Sequence, residues 1–101
     1  MSDDATDSLV DDLGASLSDA RARLGEIPAS VVVTNHVMGL YELAAIHLGA
    51  SPARLGEAAL AIDAMACVVE GLGDRLGAEA GVMRDALANI RLAFVQIKGT
   101  D

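Results

Sequence analysis

The sequence predicts an all-α protein: a small bundle of three core helices, two of them forming an antiparallel hairpin, preceded by a weaker helix. Three observations carry this. The apolar half of the chain is Ala, Leu, Val, Ile and Met, with Tyr41 and Phe94 as its aromatics, and Ala, Leu and Met are strong helix formers. No useful stretch alternates with the two-residue period of a strand. Two segments hold heptads: Leu55, Ala58, Ile62, Met65, Val69, Leu72 and Leu76 step by 3,4,3,4,3,4, and Met83, Leu87, Ile90, Phe94 and Ile97 step by 4,3,4,3. These are the a/d seams of packed helices.

Taken in order, residues 1–7 (MSDDATD) read as a short, acidic, disordered start. Residues 8–24 form a weak helix: Leu9, Leu13, Leu17, Ala20 and Leu24 recur at helical spacing, but Gly14 and several Ser and Asp residues lower the propensity. Gly25 ends it. Pro28 suits the first turn of the next helix, where its missing N–H costs nothing, so that helix is placed at 28–48, before Gly49. Ser51 is a good N-cap with Pro52 at the first helical position, which starts the third helix at 52 and carries it to 73 or 76. The fourth spans 79–98 and stops at Gly99. The short glycine-bearing break between the last two predicts an antiparallel hairpin. The domain scheme is an acidic arm over 1–26, a helical domain over 27–98 and a tail over 99–101.

The formal net charge is −8, and its placement is uneven. Residues 1–19 contain six Asp and no Lys or Arg; residues 20–101 contain nine acidic and seven basic residues, a net of −2. Nucleic acid is therefore excluded as a non-specific partner, because that binding needs a cationic surface to displace counterions. The same balance disfavours anionic membrane surfaces. The first residues lack the basic and apolar regions of a signal peptide, and one cysteine, Cys67, supports neither an intrachain disulfide nor a cysteine-based zinc cluster. The expected setting is cytoplasmic.

The heptad helices are too apolar on their outer faces for a monomer. Leu60, Ala64, Cys67 and Gly71 form a second stripe on the third helix, and Ala88, Leu92 and Val95 do so on the fourth. The second helix has two stripes, Leu40–Leu43 and Val33, Val37, Tyr41, Ala44, Leu48. Three helices of this size cannot cover all of that surface. Either the N-terminal segment covers one stripe or another chain does; the favoured expectation is a homo-oligomer, most simply a two-fold dimer, with Leu60, Cys67, Leu92, Val95, Val37 and Tyr41 as interface residues. An unidentified protein partner is the other occupant of such faces.

The polar residues supply no catalytic set. His36 and His47 lie about 20° apart around the second helix but roughly 16 Å apart along it. Two ligands of one zinc ion sit within about 4 Å of each other, so one ion cannot take both from one chain. Three readings fit these histidines: satisfied ends of a core stripe, a metal shared across an antiparallel dimer, or a protonation-sensitive interface. Glu42 points about 120° away from them and matches neither Glu-x-x-His nor His-x-x-x-His spacing. A membrane span is disfavoured, because Val37–Leu48 is short and contains Glu42 and His47. Arg84, Arg91 and Lys98 recur every seven residues and give the fourth helix a basic edge: a solvated flank, a phosphate groove, or the receiver of the acidic arm. Asp63 and Arg91 are placed at similar heights as a candidate ion pair. Cys67 has no nearby base to activate it and reads as a small hydrophobe.

The run IPASVV, the LAAIHLG end of the second helix, AIDAM in the third and RLAFVQ in the fourth together resemble a small bacterial family, the domain of unknown function number 1844. The shared steps here are His47–Gly49, Ile62–Asp63, and Leu92–Phe94 with Arg91 before them. The match covers residues 27–98, leaving the acidic arm outside. It implies the three-helix boundaries and a bacterial cytosolic setting, singles out Asp63 and Arg91, and implies no activity. The expected function is a non-enzymatic, homo-oligomerising helical interaction module, without a cofactor. The alternative is a metal- or small-ligand-binding bundle, with a cavity left between helices poor in aromatics.

Overall fold

The computed structural model describes residues 2–100 and consists of four α-helices joined by short connections. They are α1 (Ser2–Glu26), α2 (Ala29–Leu48), α3 (Leu55–Leu72) and α4 (Ala80–Thr100), with a 3-10 segment over Gly73–Glu79. The described residues contain no strand. The all-α bundle with packed helices is the observed fold.

α3 and α4 form the antiparallel hairpin. Its direction is fixed by two cross-helix ion pairs whose numbers run oppositely: Glu70 with Arg91 and Asp74 with Arg84. Every seam residue of both heptads is buried or half-buried. α2 lies against α3 and also touches α4 and the 3-10 segment. It turns Val37, Ala44 and Leu48 into the core, with Val33, Leu40 and Tyr41 half-buried beside them. Val37 is 1% exposed, which corrects its assignment to an intermolecular interface: it belongs to the chain's own core. Tyr41 is half-buried against the same core. Of the two stripes on α2, packing on α3 selected the Val37–Ala44–Leu48 one and left Leu43 outside.

α3 starts at Leu55, not at Pro52. Residues 49–54 stay in a loop around the end of α2, where the Arg54 N–H donates to the His47 carbonyl at 2.9 Å. That bond satisfies one of the orphan carbonyls at the end of α2. The first bond of the new helix, Ala58 N–H to the Arg54 carbonyl, follows at 3.0 Å. At the other end, α4 continues through Gly99 to Thr100, whose hydroxyl donates to the Ile97 carbonyl at 2.7 Å. Glycine can take helical angles, at a cost of about 0.5–1 kcal/mol relative to alanine, and Gly99 does so here. The expectation for Asp101 lies outside the described residues, as does that for Met1.

The hairpin connection depends on two glycines. Gly73 has φ 53° and Gly77 has φ 81° with ψ −147°. A side chain at Gly77 would sit in backbone space that is essentially glycine-only, and its Cβ would meet Ser30 Oγ at 3.4 Å. Gly77→Ala is expected to cost about 1–3 kcal/mol, read as a lowered urea midpoint with an unchanged slope. Gly71→Ala, helical and facing open space, is the control and is expected to stabilise by about 0.5–1 kcal/mol.

α1 differs from the expectation in length and in isolation. It runs unbroken from Ser2, six residues before the predicted start and through the stretch read as disordered. Residues 5–26 are all exposed. Among the described residues it packs on none of the other helices. Only at the elbow do Leu24 and Ile27 share a shallow cleft with Val32 and Val33. With this arm the protein measures 66 × 35 × 15 Å.

Candidate interaction surface

The surface of interest is the crevice between α3 and α4 and its outer shoulders. Heptad geometry places Ala59, Ala66 and Gly73 on one flank of the α3 seam, and Arg84, Arg91 and Lys98 on the matching flank of α4. The small side of one helix thus faces the long basic side chains of the other. Arg91 Nη2 donates to Glu70 Oε1 at 3.1 Å and Arg84 Nη2 to Asp74 Oδ1 at 2.6 Å. Both pairs are largely solvated, and each contributes at most about 1 kcal/mol.

Two clefts line this crevice and share Arg91. One, of about 300 Å³, is bounded by Ala59, Ile62, Asp63, Arg91, Phe94 and Val95. The other, of about 370 Å³, lies towards the 3-10 segment between Val69 and Leu87, under the two ion pairs. Both open to solvent. Val95, on the rim of the first, is 63% exposed, and on the outer sides of the two helices Leu60 is 69% and Leu92 57% exposed. Cys67, one heptad after Leu60, is exposed as well.

The candidate ion pair is corrected. Arg91 bonds Glu70, one heptad beyond Asp63. Side chains lean towards the N-terminus of their own helix, so the long Arg91 side chain reaches back along α4 towards the later residues of α3. Asp63 and Arg91 instead form opposite walls of the same cleft. Among the described residues the basic edge does not receive the acidic arm within the chain, because α1 makes no contact with α4 and two of the three basic groups already have carboxylate partners.

The two histidines do not meet. His36 is exposed, and its Nδ1 donates to the Val32 carbonyl at 2.8 Å. His47 is half-buried near the start of the 49–54 loop, with a buried Nδ1 that lacks a hydrogen-bond partner. Among the described residues no three His, Cys, Asp or Glu side chains come together as metal ligands.

Sequence reasoning named Leu60, Cys67, Leu92 and Val95 correctly as outward-facing residues and missed several others. Val31, Ile46 and Val82 are 45%, 68% and 55% exposed. Their signal was available: each breaks the polar side of its helix and belongs to neither seam. α2 is one described helix long and apolar enough to cross a membrane, and it also supplies Val37, Ala44 and Leu48 to the core. No family model, curated protein or solved structure matches the chain.

Proposed function

We propose that the protein is a non-enzymatic helical module that associates with copies of itself through the outer face of the α3/α4 hairpin. The observation that carries this is the exposure of Leu60, Leu92 and Val95 on the outer sides of the hairpin, with Val95 on the rim of an apolar cleft. Several large apolar side chains left uncovered on one hairpin are a mark of an interaction surface. The crevice itself is electrically balanced, with Asp63, Glu70 and Asp74 set against Arg84, Arg91 and Lys98. Two copies therefore meet there without a net repulsion, which favours a two-fold arrangement.

The reading treats α2 as a core helix and the cytoplasm as the setting. α2 carries Glu42 and two histidines, and its inner stripe is covered by α3 and α4. Membership of the domain-of-unknown-function family number 1844 is likewise our proposal, supported by His47–Gly49, Ile62–Asp63 and Arg91–Phe94.

The test is the solution mass of the full chain by light scattering. Wild type is expected above the mass of one chain at micromolar concentration. Leu60→Glu with Leu92→Glu is expected to lower that mass while leaving the helical circular dichroism and the urea midpoint in place. A wild type that stays at one chain mass across that range overturns the proposal. A second reading has one observation in its favour: the 300 Å³ cleft combines Ile62, Phe94 and Val95 with the charged walls Asp63 and Arg91, the lower size limit of small-ligand pockets. Native mass spectrometry showing a stoichiometric small molecule would select it.

A further inference from the structure

α1 has a feature that the hairpin does not explain. Val10, Leu13, Leu17, Ala20 and Leu24 step by 3,4,3,4 along its length, a second a/d seam alongside the looser Leu9 stripe. The seam is bare: Val10 is 60% exposed, Leu13 65%, Leu17 60% and Leu24 57%. A lone helix of 25 residues containing Gly14 and many Asp and Ser residues has little stability in water. Its apolar stripe needs a partner of the same length.

Charge identifies that partner and its direction. Residues 2–13 hold five Asp and no base, while residues 14–26 hold Asp19 and Glu26 against Arg21 and Arg23. A parallel pair of these helices would place one strongly acidic half beside the other. An antiparallel pair places each acidic half beside a neutral half that contains both arginines, and it also opposes the helix dipoles.

One register satisfies the seam and the charges together. When Leu13 of one copy packs on the partner's Leu17, Val10 faces the partner's Ala20 and Asp7 lies beside the partner's Arg21. Gly14 then sits at the two-fold axis on the seam's edge, where a missing side chain allows close approach. We propose that α1 pairs with α1 of a second copy as this antiparallel coiled coil. The proposal rests on the self-association reading but uses a separate surface, so each stands or falls by its own measurement.

Chains carrying Val10→Cys and chains carrying Ala20→Cys, both with Cys67→Ser and one with a mass tag, are mixed, equilibrated and oxidised. Both sites are exposed, so neither change disturbs the core. The expected product is a mixed disulfide dimer, with neither chain cross-linking to itself. In this register Ala20 and the partner's Ala20 lie about 15 Å apart along the axis, beyond the roughly 7 Å Cα limit of a disulfide. Ready self-cross-linking of Ala20→Cys alone means a parallel pair and overturns the proposal. So does the absence of any cross-link, which shows that α1 does not pair with a second copy in this register. If the wild-type mass still exceeds one chain in that case and falls with the Leu60 and Leu92 changes, hairpin association stands without the coiled coil.

Discussion

Met65→Ala is expected to cost about 3–5 kcal/mol, the upper part of the range for truncating a buried large side chain. Met65 is fully enclosed at the middle of α3, where it belongs to the core made by all three bundle helices. Two features place it high. Five of the fourteen buried apolar residues are alanines: Ala44, Ala58, Ala61, Ala66 and Ala80. Alanines bring the helices close, but they have no rotamers with which to fill a new void. The lost volume therefore remains as a cavity, and cavity volume adds to the transfer loss. A domain of this size holds only about 4–10 kcal/mol in total, so the variant loses a large share of its stability. The urea midpoint measures it. Met65→Leu, which nearly conserves volume, is the control and is expected to cost less than about 1.5 kcal/mol.

The core was legible because it is written in large residues at coiled-coil spacing. Ile62, Met65 and Val69 face Met83, Leu87 and Ile90 in either structure or sequence, since a 3,4 repeat has one way to bury itself in a hairpin. The helix ends were less legible. Pro52 fits a first turn by residue type, yet the Arg54 to His47 bond holds the chain in a loop for three further residues. Gly99 and Gly73 look alike in sequence. One continues a helix, and the other takes φ 53° to end one, because only the second has a return helix to accommodate. The partner of Arg91 was missed for another reason: Asp63 and Glu70 lie a heptad, about two turns, apart on one flank of α3, and seam periodicity does not say which of them the long arginine reaches.

The two sides of α2 show a different limit. Val37 and Leu43 belong to stripes of similar apolar content, and the pattern alone does not say which of them turns inward. The choice is made by α3 and α4. Ala44, small and at zero exposure, lies in the core, and Val37 and Leu48 follow it on the same side. Leu43 and Ile46 are then carried outward at 44% and 68% exposure. The seam of α1 was partly legible for a related reason: Leu9 and Val10 are adjacent, and without a packed partner both stripes fit a helix.

Placing the same carboxylate on each side of α2 separates core from surface. Val37→Asp puts an acid where 1% of the residue is exposed. Both cross-helix arginines are outside, already bonded to Asp74 and Glu70, so no cation compensates it. An uncompensated buried charge costs about 3–5 kcal/mol, beyond the loss of valine packing. The expected result is a bundle largely unfolded at room temperature, with lost helical circular dichroism and a collapsed urea midpoint. Leu43→Asp, six residues along the same helix and 44% exposed, places its charge in water and is expected to shift stability by no more than about 0.5 kcal/mol. If Val37 instead met a second copy, its substitution would lower the solution mass and leave the helices intact. Retained circular dichroism with a halved mass for Val37→Asp would therefore show that α2 packs outward. Loss of the fold for Val37→Asp but not for Leu43→Asp assigns the Val37 stripe to the core and leaves the outer faces for association.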